Sequence, residues 1–405
     1  MKIGIDARLY GTKHGGIGRY AQKLIEHLEK IDSENQYVVF LQKNNFSEYQ
    51  PQNKNFTKVL ADFRAYGWQE QILFPKLLNK YNFDFVHFTH FNAPIFFGGK
   101  FMVTIHDLII SHYPDSRATT LNPFLYKIKL IFYNIVINHA AKKAEKIIAV
   151  SEYTKNDIIK FLKVVPEKIA VTYEGYDPPK DIGHDCQNII QQFGINGEYI
   201  LYVGSAYPHK NLERLILAFE KIIEGLPHPN PPLIKGRGES LFSSPFIRGR
   251  LGGGKLNDLK LVLVGSKNYF YERLEKEIKK LNLQNEVILT GYCDDNQLAC
   301  LYKNAKAYVF PSLIEGFGLP PLEAQSYGVP VASSNATCLP EVLGDSAFYF
   351  DPENINDMAE KISRIINDEN LRNDLINKGL ENLKKYSWEN CAQKTLEIYN
   401  LTFIK

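Results

Sequence analysis

No stretch of this chain reaches the roughly 18 consecutive apolar residues of a membrane-spanning helix. The N-terminal Met1-Lys2-Ile3-Gly4-Ile5-Asp6-Ala7-Arg8 enters a strand pattern at once and lacks the apolar segment of an export signal, so a cytoplasmic protein is expected. The nearest apolar candidate, Leu130 to Ile137, is broken by Asn134, with Lys127 and Lys129 before it and Lys142 and Lys143 after. It reads as a core helix, although its lysines keep peripheral contact with the inner face of the plasma membrane open. Cysteine is scarce too: five residues, an odd number, without any Cys-x-x-Cys. That argues against a disulfide framework or a zinc site, and the five read as core or incidental thiols in a reducing compartment. An excess of one charge is also lacking. Of the net +3, residues 227–255 hold a local +4, which leaves the rest of the chain at −1. No phosphate-tracking patch follows from composition, and a nucleic-acid partner is not expected.

What is present fits two globular domains. A chain of 405 residues with 44% hydrophobic and 13% aromatic content is too long for one ordinary core. Strands are predicted at 2–6, 37–42, 85–88, 101–106, 146–150 and 168–172, and again at 199–203, 259–264, 287–290, 307–310, 330–332 and 347–350. Helical patterns lie between them, so each series predicts a parallel sheet covered on both faces. The domains are placed at 1–180 and 181–386, meeting near Asp177 to Asp185, where Pro178-Pro179 interrupts the pattern. A last helix from Ser387-Trp388 toward Leu401 occupies 387–405. Residues 227–255 carry five prolines and six glycines, and Pro232-Leu233-Ile234-Lys235-Gly236-Arg237 is echoed by Pro245-Phe246-Ile247-Arg248-Gly249-Arg250. This is read as a low-complexity insertion without a function of its own.

The richest segment for function is Phe310-Pro311-Ser312-Leu313-Ile314-Glu315-Gly316-Phe317-Gly318-Leu319-Pro320-Pro321-Leu322-Glu323, with two carboxylates eight residues apart around a predicted helix start. Glutamate there is in part ordinary complementation of the helix dipole. Backbone N–H groups at such a start also favour a phosphate, and the flanking carboxylates accept hydrogen bonds from hydroxyls. A nucleotide sugar has that layout. The segment resembles the Glu-x7-Glu signature of retaining glycosyltransferases of the GT-B fold, family 4 in particular, and the likeness continues through Glu323-Ala324-Gln325-Ser326-Tyr327-Gly328-Val329-Pro330-Val331.

The resemblance implies an α/β GT-B fold: two doubly wound, Rossmann-like domains facing across a cleft, the C-terminal helix crossing back to the first. It assigns Glu315 to donor-sugar hydroxyls, Glu323 to the ribose, and Gly316, Phe317, Gly318 and Leu319 to the diphosphate. In Gly204-Ser205-Ala206-Tyr207-Pro208-His209-Lys210-Asn211, Lys210 is the cation for the leaving diphosphate. The family usually has an arginine where this chain has Ser205, which leaves open whether one or two cations hold the phosphates. By itself Lys210-Asn211 is a turn and a cap. His106, at a strand end in Thr104-Ile105-His106-Asp107, would contact the donor sugar, while Asp107 lies on the acceptor side or caps the next turn. Thr290-Gly291-Tyr292 places Gly291 and Tyr292 beside the base.

Gly15-Gly16-Ile17-Gly18-Arg19-Tyr20-Ala21 contains a Gly-x-Gly-x-x-Ala string, yet it follows Asp6 too distantly, and the next strand ends in Phe40-Leu41-Gln42 without an acid. A nicotinamide site is not expected. The family has a glycine loop here, so Gly16 is assigned to the donor and Gly15 and Arg19 to the acceptor side. No Asp-x-Asp occurs, and neither a metal nor a cofactor is expected. The predicted activity is retaining transfer of a hexose from a nucleoside-diphosphate sugar to a glycan or lipid-linked acceptor. Gly15-Gly16-Ile17-Gly18-Arg19-Tyr20, Tyr66-Gly67-Trp68-Gln69-Glu70-Gln71 and the His106 region resemble mannosyltransferases of surface-polysaccharide assembly, which favours GDP-mannose over UDP sugars as the donor. A sugar-nucleotide epimerase on the same fold is the alternative, followed by a non-catalytic membrane or nucleic-acid binding protein.

Overall fold

β1 (Lys2–Asp6) enters the middle of a seven-stranded parallel sheet in the order β3-β2-β1-β4-β5-β6-β7, with β2 (Gln36–Leu41), β3 (Phe56–Leu60), β4 (Phe85–Phe88), β5 (Phe101–Ile105), β6 (Lys146–Ala149) and β7 (Ile169–Val171). A six-stranded parallel sheet follows in the order β10-β9-β8-β11-β12-β13, from β8 (Tyr199–Val203), β9 (Lys260–Val264), β10 (Val287–Gly291), β11 (Ala307–Phe310), β12 (Val331–Ser334) and β13 (Ala347–Phe350). The computed structural model describes residues 1–65, 67–113, 119, 122–179, 186–225 and 258–404. The insertion at 227–255 with its repeat, Tyr66, and part of the expected junction lie outside them.

The helices that cover the first sheet are α1 (Gly15–Ile31), α2 (Trp68–Leu78), α3 (Ile109–His112), α4 (Pro123–Lys143) and α5 (Glu152–Leu162). Those of the second are α6 (Cys186–Gln192), α7 (Leu212–Glu224), α8 (Tyr269–Lys280), α9 (Asp295–Lys303), α10 (Leu319–Ser326), α11 (Leu339–Leu343), α12 (Ile355–Asn367) and α13 (Glu369–Leu383). α14 (Trp388–Phe403) packs along α1, so one unit consists of Met1–Tyr176 with Tyr386–Lys405 and the other of Asp177–Lys385. β-branched and aromatic residues fill the central strands because both faces are covered: all five residues of β5 are buried. Among the described residues no helix is long and apolar enough to cross a membrane.

Three features depart from the sequence reading. β3 was not anticipated, because only its Phe56 is buried and Thr57-Lys58 reads as polar; it lies at one edge of the sheet. α4 is not a core helix. Tyr126, Tyr133, Ile137, Ala140 and Ala141 face inward, but Phe124, Leu125, Ile131, Phe132 and Ile135 are exposed. Apolar residues run nearly all round this helix, so periodicity cannot say which stripe meets the sheet. The cysteines are not all isolated thiols either: Cys186 and Cys300 form a disulfide, while Cys293, Cys338 and Cys391 are free and buried. α6 packs on α9 and brings two residues 114 positions apart to a Cα–Cα distance of 5.2 Å, a proximity that local spacing cannot reveal.

Candidate active site

In each doubly wound sheet the strand order reverses once, and ligands in this architecture bind beyond the carboxyl ends of the strands at that point. In the first unit the reversal lies between β1 and β4. Thr89, just past β4, donates its hydroxyl to the Asp6 carbonyl at the end of β1, 2.7 Å, and its own carbonyl accepts from His106 Nε2, 3.0 Å. His106 Nδ1 meets Glu174 Oε1 at 3.1 Å. A carbonyl and a carboxylate both accept, so this pair of partners favours the doubly protonated ring. Burial opposes that charge, but the hydrogen bond and charge of Glu174, with the Thr89 carbonyl, outweigh it and raise the pKa. Nearby His87 and His90 go the other way, both pushed down to about 3 by burial and by the charge of His106.

The floor beneath is a buried hydroxyl–imidazole chain. Thr104 Oγ1 lies 3.0 Å from the Tyr20 hydroxyl and 2.9 Å from His87 Nε2, and His87 Nδ1 lies 2.6 Å from the Tyr399 hydroxyl of α14. Beside it Arg8 holds Asp6 with two hydrogen bonds, 2.8 and 2.7 Å, reaches Glu70 at 2.7 Å, and stacks on Phe74. These contacts fix the loop between β1 and α1. A Cβ at Gly18 would collide with the carbonyls of Gly11 and Leu9, so close packing of that loop on the helix requires glycine there. At Gly15 and Gly16 a Cβ would meet nothing within 4 Å, so the start of α1 has open space above it.

In the second unit the reversal lies between β8 and β11. Lys210, in the loop after β8, and Glu315, in the loop after β11, meet there at 2.6 Å with side chains only 18% and 10% exposed. Their loops are pinned together. Leu313 N–H donates to the His209 carbonyl at 2.8 Å, and the Asn211 amide donates to the carbonyls of Pro311 and Pro352 at 3.0 and 2.7 Å. Asn211 adopts φ +61° and makes no cap bond; its amide nitrogen serves the loop junction while its Oδ1 accepts from Arg214 of α7 at 2.9 Å. The Glu315 N–H donates to Thr337 Oγ1 at 3.1 Å. His209 is pushed down to about 4 by burial and by the neighbouring Lys210, leaving Lys210 the single cation of its loop. Gly318 takes φ +95° to start α10, whose second and third residues are prolines, so Leu319 alone among the first three offers an N–H.

Known proteins carry the same two parts. The description "Glycosyltransferase Family 4" matches residues 14–180, nearly all of the first unit's N-terminal part, and "Glycosyl transferases group 1" matches residues 250–382 in the second. This chain belongs to the family 4, group 1 glycosyltransferases. Among the relatives of this glycosyltransferase is O-antigen chain mannosyltransferase B of Escherichia coli, 26% identical over 406 residues, 95% of this chain and 96% of that one. Among solved structures, a sucrose-phosphate synthase of Thermosynechococcus elongatus superposes with a TM-score of 0.74 at 18% identity over 100% of this chain and 99% of that one. HepE of Anabaena, solved with UDP and glucose, gives 0.71 at 18% identity over 99% and 100%. Both share the GT-B fold with this chain.

Of the residues the sequence singled out in this glycosyltransferase, the structure brings Lys210 and Glu315 into contact and puts Gly316, Phe317, Gly318 and Leu319 in one buried turn beside them. Glu323 lies within α10 and accepts from the Tyr302 hydroxyl at 3.2 Å. The Ser205 carbonyl accepts from the Tyr202 hydroxyl at 2.9 Å. Gly291 ends β10 with φ +79°, and Tyr292 beside it is exposed. In the first unit Gly15, Gly16 and Arg19 form the opening turns of α1 rather than a loop before it. Asp107 accepts from the Ile109 N–H at 3.0 Å, in the turn that leads into α3. Sequence reasoning missed Glu174, Thr89, Thr337 and Ser312, whose hydroxyl is buried without a hydrogen-bond partner among the described residues. No local motif marks any of them.

Proposed function

We propose that this glycosyltransferase moves a hexose, mannose by preference, from a nucleoside-diphosphate sugar to a glycan or lipid-linked acceptor in the assembly of a surface polysaccharide. Transfer retains the anomeric configuration and needs no metal ion or other cofactor. The observation that carries the reading is the Lys210–Glu315 pair at the β8/β11 reversal. A cation held there, with the N–H of Leu319 beside it, is placed for the charge that develops on a departing diphosphate. A carboxylate already ion-paired is a poor nucleophile but a good acceptor for sugar hydroxyls, so Glu315 positions the donor rather than attacking it. Acceptor deprotonation then falls to the leaving phosphate on the donor's front face, which needs positioning more than a protein nucleophile.

Glu323 is assigned to the ribose, Ser205, Gly291 and Tyr292 to the nucleotide, and Gly16 and His106 to the donor sugar. Gly15, Arg19 and Asp107 are assigned to the acceptor. The mannosyltransferase relative, matched over nearly its whole length, supports mannose, and the neighbour solved with UDP and glucose supports a nucleotide-sugar donor. The placement that goes with this reading is the cytoplasm, at the inner face of the membrane. Lys210→Ala and Glu315→Gln are each expected to lower turnover about 10²-fold or more, the scale of one lost preorganised contact. Thermal shifts with GDP and with UDP identify the base in the same preparations. Near-normal turnover in both variants would end the assignment.

A further inference from the structure

The outward face of α4 has no role in the chemistry above, yet it exposes more large apolar side chains than any other helix among the described residues. Phe124 is 71% exposed, Leu125 47%, Ile131 59%, Phe132 63% and Ile135 48%. At about 100° per residue, Phe124, Ile131 and Ile135 fall on one line and Leu125 and Phe132 on the next, a stripe covering roughly a third of the helix. It is held outward by its opposite face: Tyr133 packs edge-on against Phe91 and its hydroxyl lies 3.1 Å from Ser111 Oγ, while Ile137 and Ala140 are fully buried. Singly exposed apolar side chains need no explanation, but five on one helix stripe do.

Charge selects what covers the stripe. α4 contains Lys127, Lys129, Lys142 and Lys143 and not one aspartate or glutamate. Two copies meeting through this face would set lysines against lysines. An anionic lipid surface offers the complementary charge to the lysines and a hydrocarbon boundary to the phenylalanines and isoleucines. We propose that α4 is a membrane-docking helix that lies flat on anionic lipid, with Phe124, Ile131, Phe132 and Ile135 inserted at the headgroup boundary and Lys127 and Lys129 on the headgroups. This deepens the peripheral placement given above. It stands apart from the transfer reading, because docking needs neither donor nor acceptor.

Co-sedimentation of the full chain with phosphatidylcholine vesicles, with and without phosphatidylglycerol, tests it, and no nucleotide is added. The protein is expected to pellet with the anionic vesicles, less so as salt rises, and not with phosphatidylcholine alone. Ile131→Ser with Phe132→Ser is expected to weaken partitioning at least tenfold with an unchanged circular dichroism spectrum and melt, since both side chains are exposed. Lys127→Gln with Lys129→Gln is expected to weaken it about fivefold per lysine removed. Failure of the wild type to bind anionic vesicles overturns the proposal. So does binding that both double variants retain. A concentration-dependent dimer abolished by Ile131→Ser and Phe132→Ser overturns it as well, by showing that a second copy covers the face.

Discussion

The pKa of His106 is raised because of where its two nitrogens point. Its raised pKa means that the fold binds that proton more tightly than the unfolded chain does, a contribution fully present below the ordinary histidine value of 6.5 and lost as pH rises through the raised value. His87 and His90, both lowered to about 3, have the reverse sign: their contribution is present above 6.5 and is lost as pH falls toward 3. Stability is therefore expected to decline on both sides, for different residues. Glu174→Gln removes the carboxylate that holds the proton, so the alkaline-side decline should vanish while the acid-side one remains. Melting temperature against pH, with the His106 ring-proton shift followed by NMR, checks this. An unchanged His106 titration in the variant would show that Glu174 is not the cause. His106 itself was legible as a strand-end histidine with a family likeness. Its partner, 68 residues on in a segment without a motif, was not.

At the scale of elements, what was legible followed local pattern. Twelve of the thirteen strands among the described residues come from β-branched or aromatic runs, and α10 from a glycine and two prolines at its start. What was missed depended on a neighbour. β3 is a strand because β2 offers it a partner; α4 has an outer face because only one stripe of an all-apolar helix fits the sheet. The Cys186–Cys300 bond exists because α6 docks on α9. Closing a loop of that length is expected to add about 2–4 kcal/mol of stability. Cys300→Ala, or reductant on the wild type, should lower the urea midpoint accordingly, with the variant insensitive to reductant. Equal midpoints with and without reductant would show that the bond does not hold α6 to the unit.

At the scale of the molecule, the first unit is discontinuous in sequence: its α14 is the last element made. Tyr399 completes the bond to buried His87, Phe403 stacks on Phe85 with centroids 3.8 Å apart, and a Cβ at Gly175 would collide with the backbone of Trp388, so the docking is close. Ending the chain at Lys385 strips these partners from β4 and α1 while leaving every residue of the second unit in place. Hydrogen exchange is expected to show lost protection in the strands of the first sheet and retained protection in those of the second. Retained protection in both would mean that α14 is dispensable to the first sheet. The sequence by itself determined the fold class, the family, and the placing of Glu315 and Lys210 in the loops after β11 and β8, because strand periodicity, turn residues and the Glu-x7-Glu segment are local in the chain. Only the tertiary structure decided that Lys210 and Glu315 pair, that Glu174 raises the pKa of His106, and that α4 turns apolar residues outward. Each of those depends on partners tens of residues away, whose proximity is set by packing rather than by any pattern along the chain.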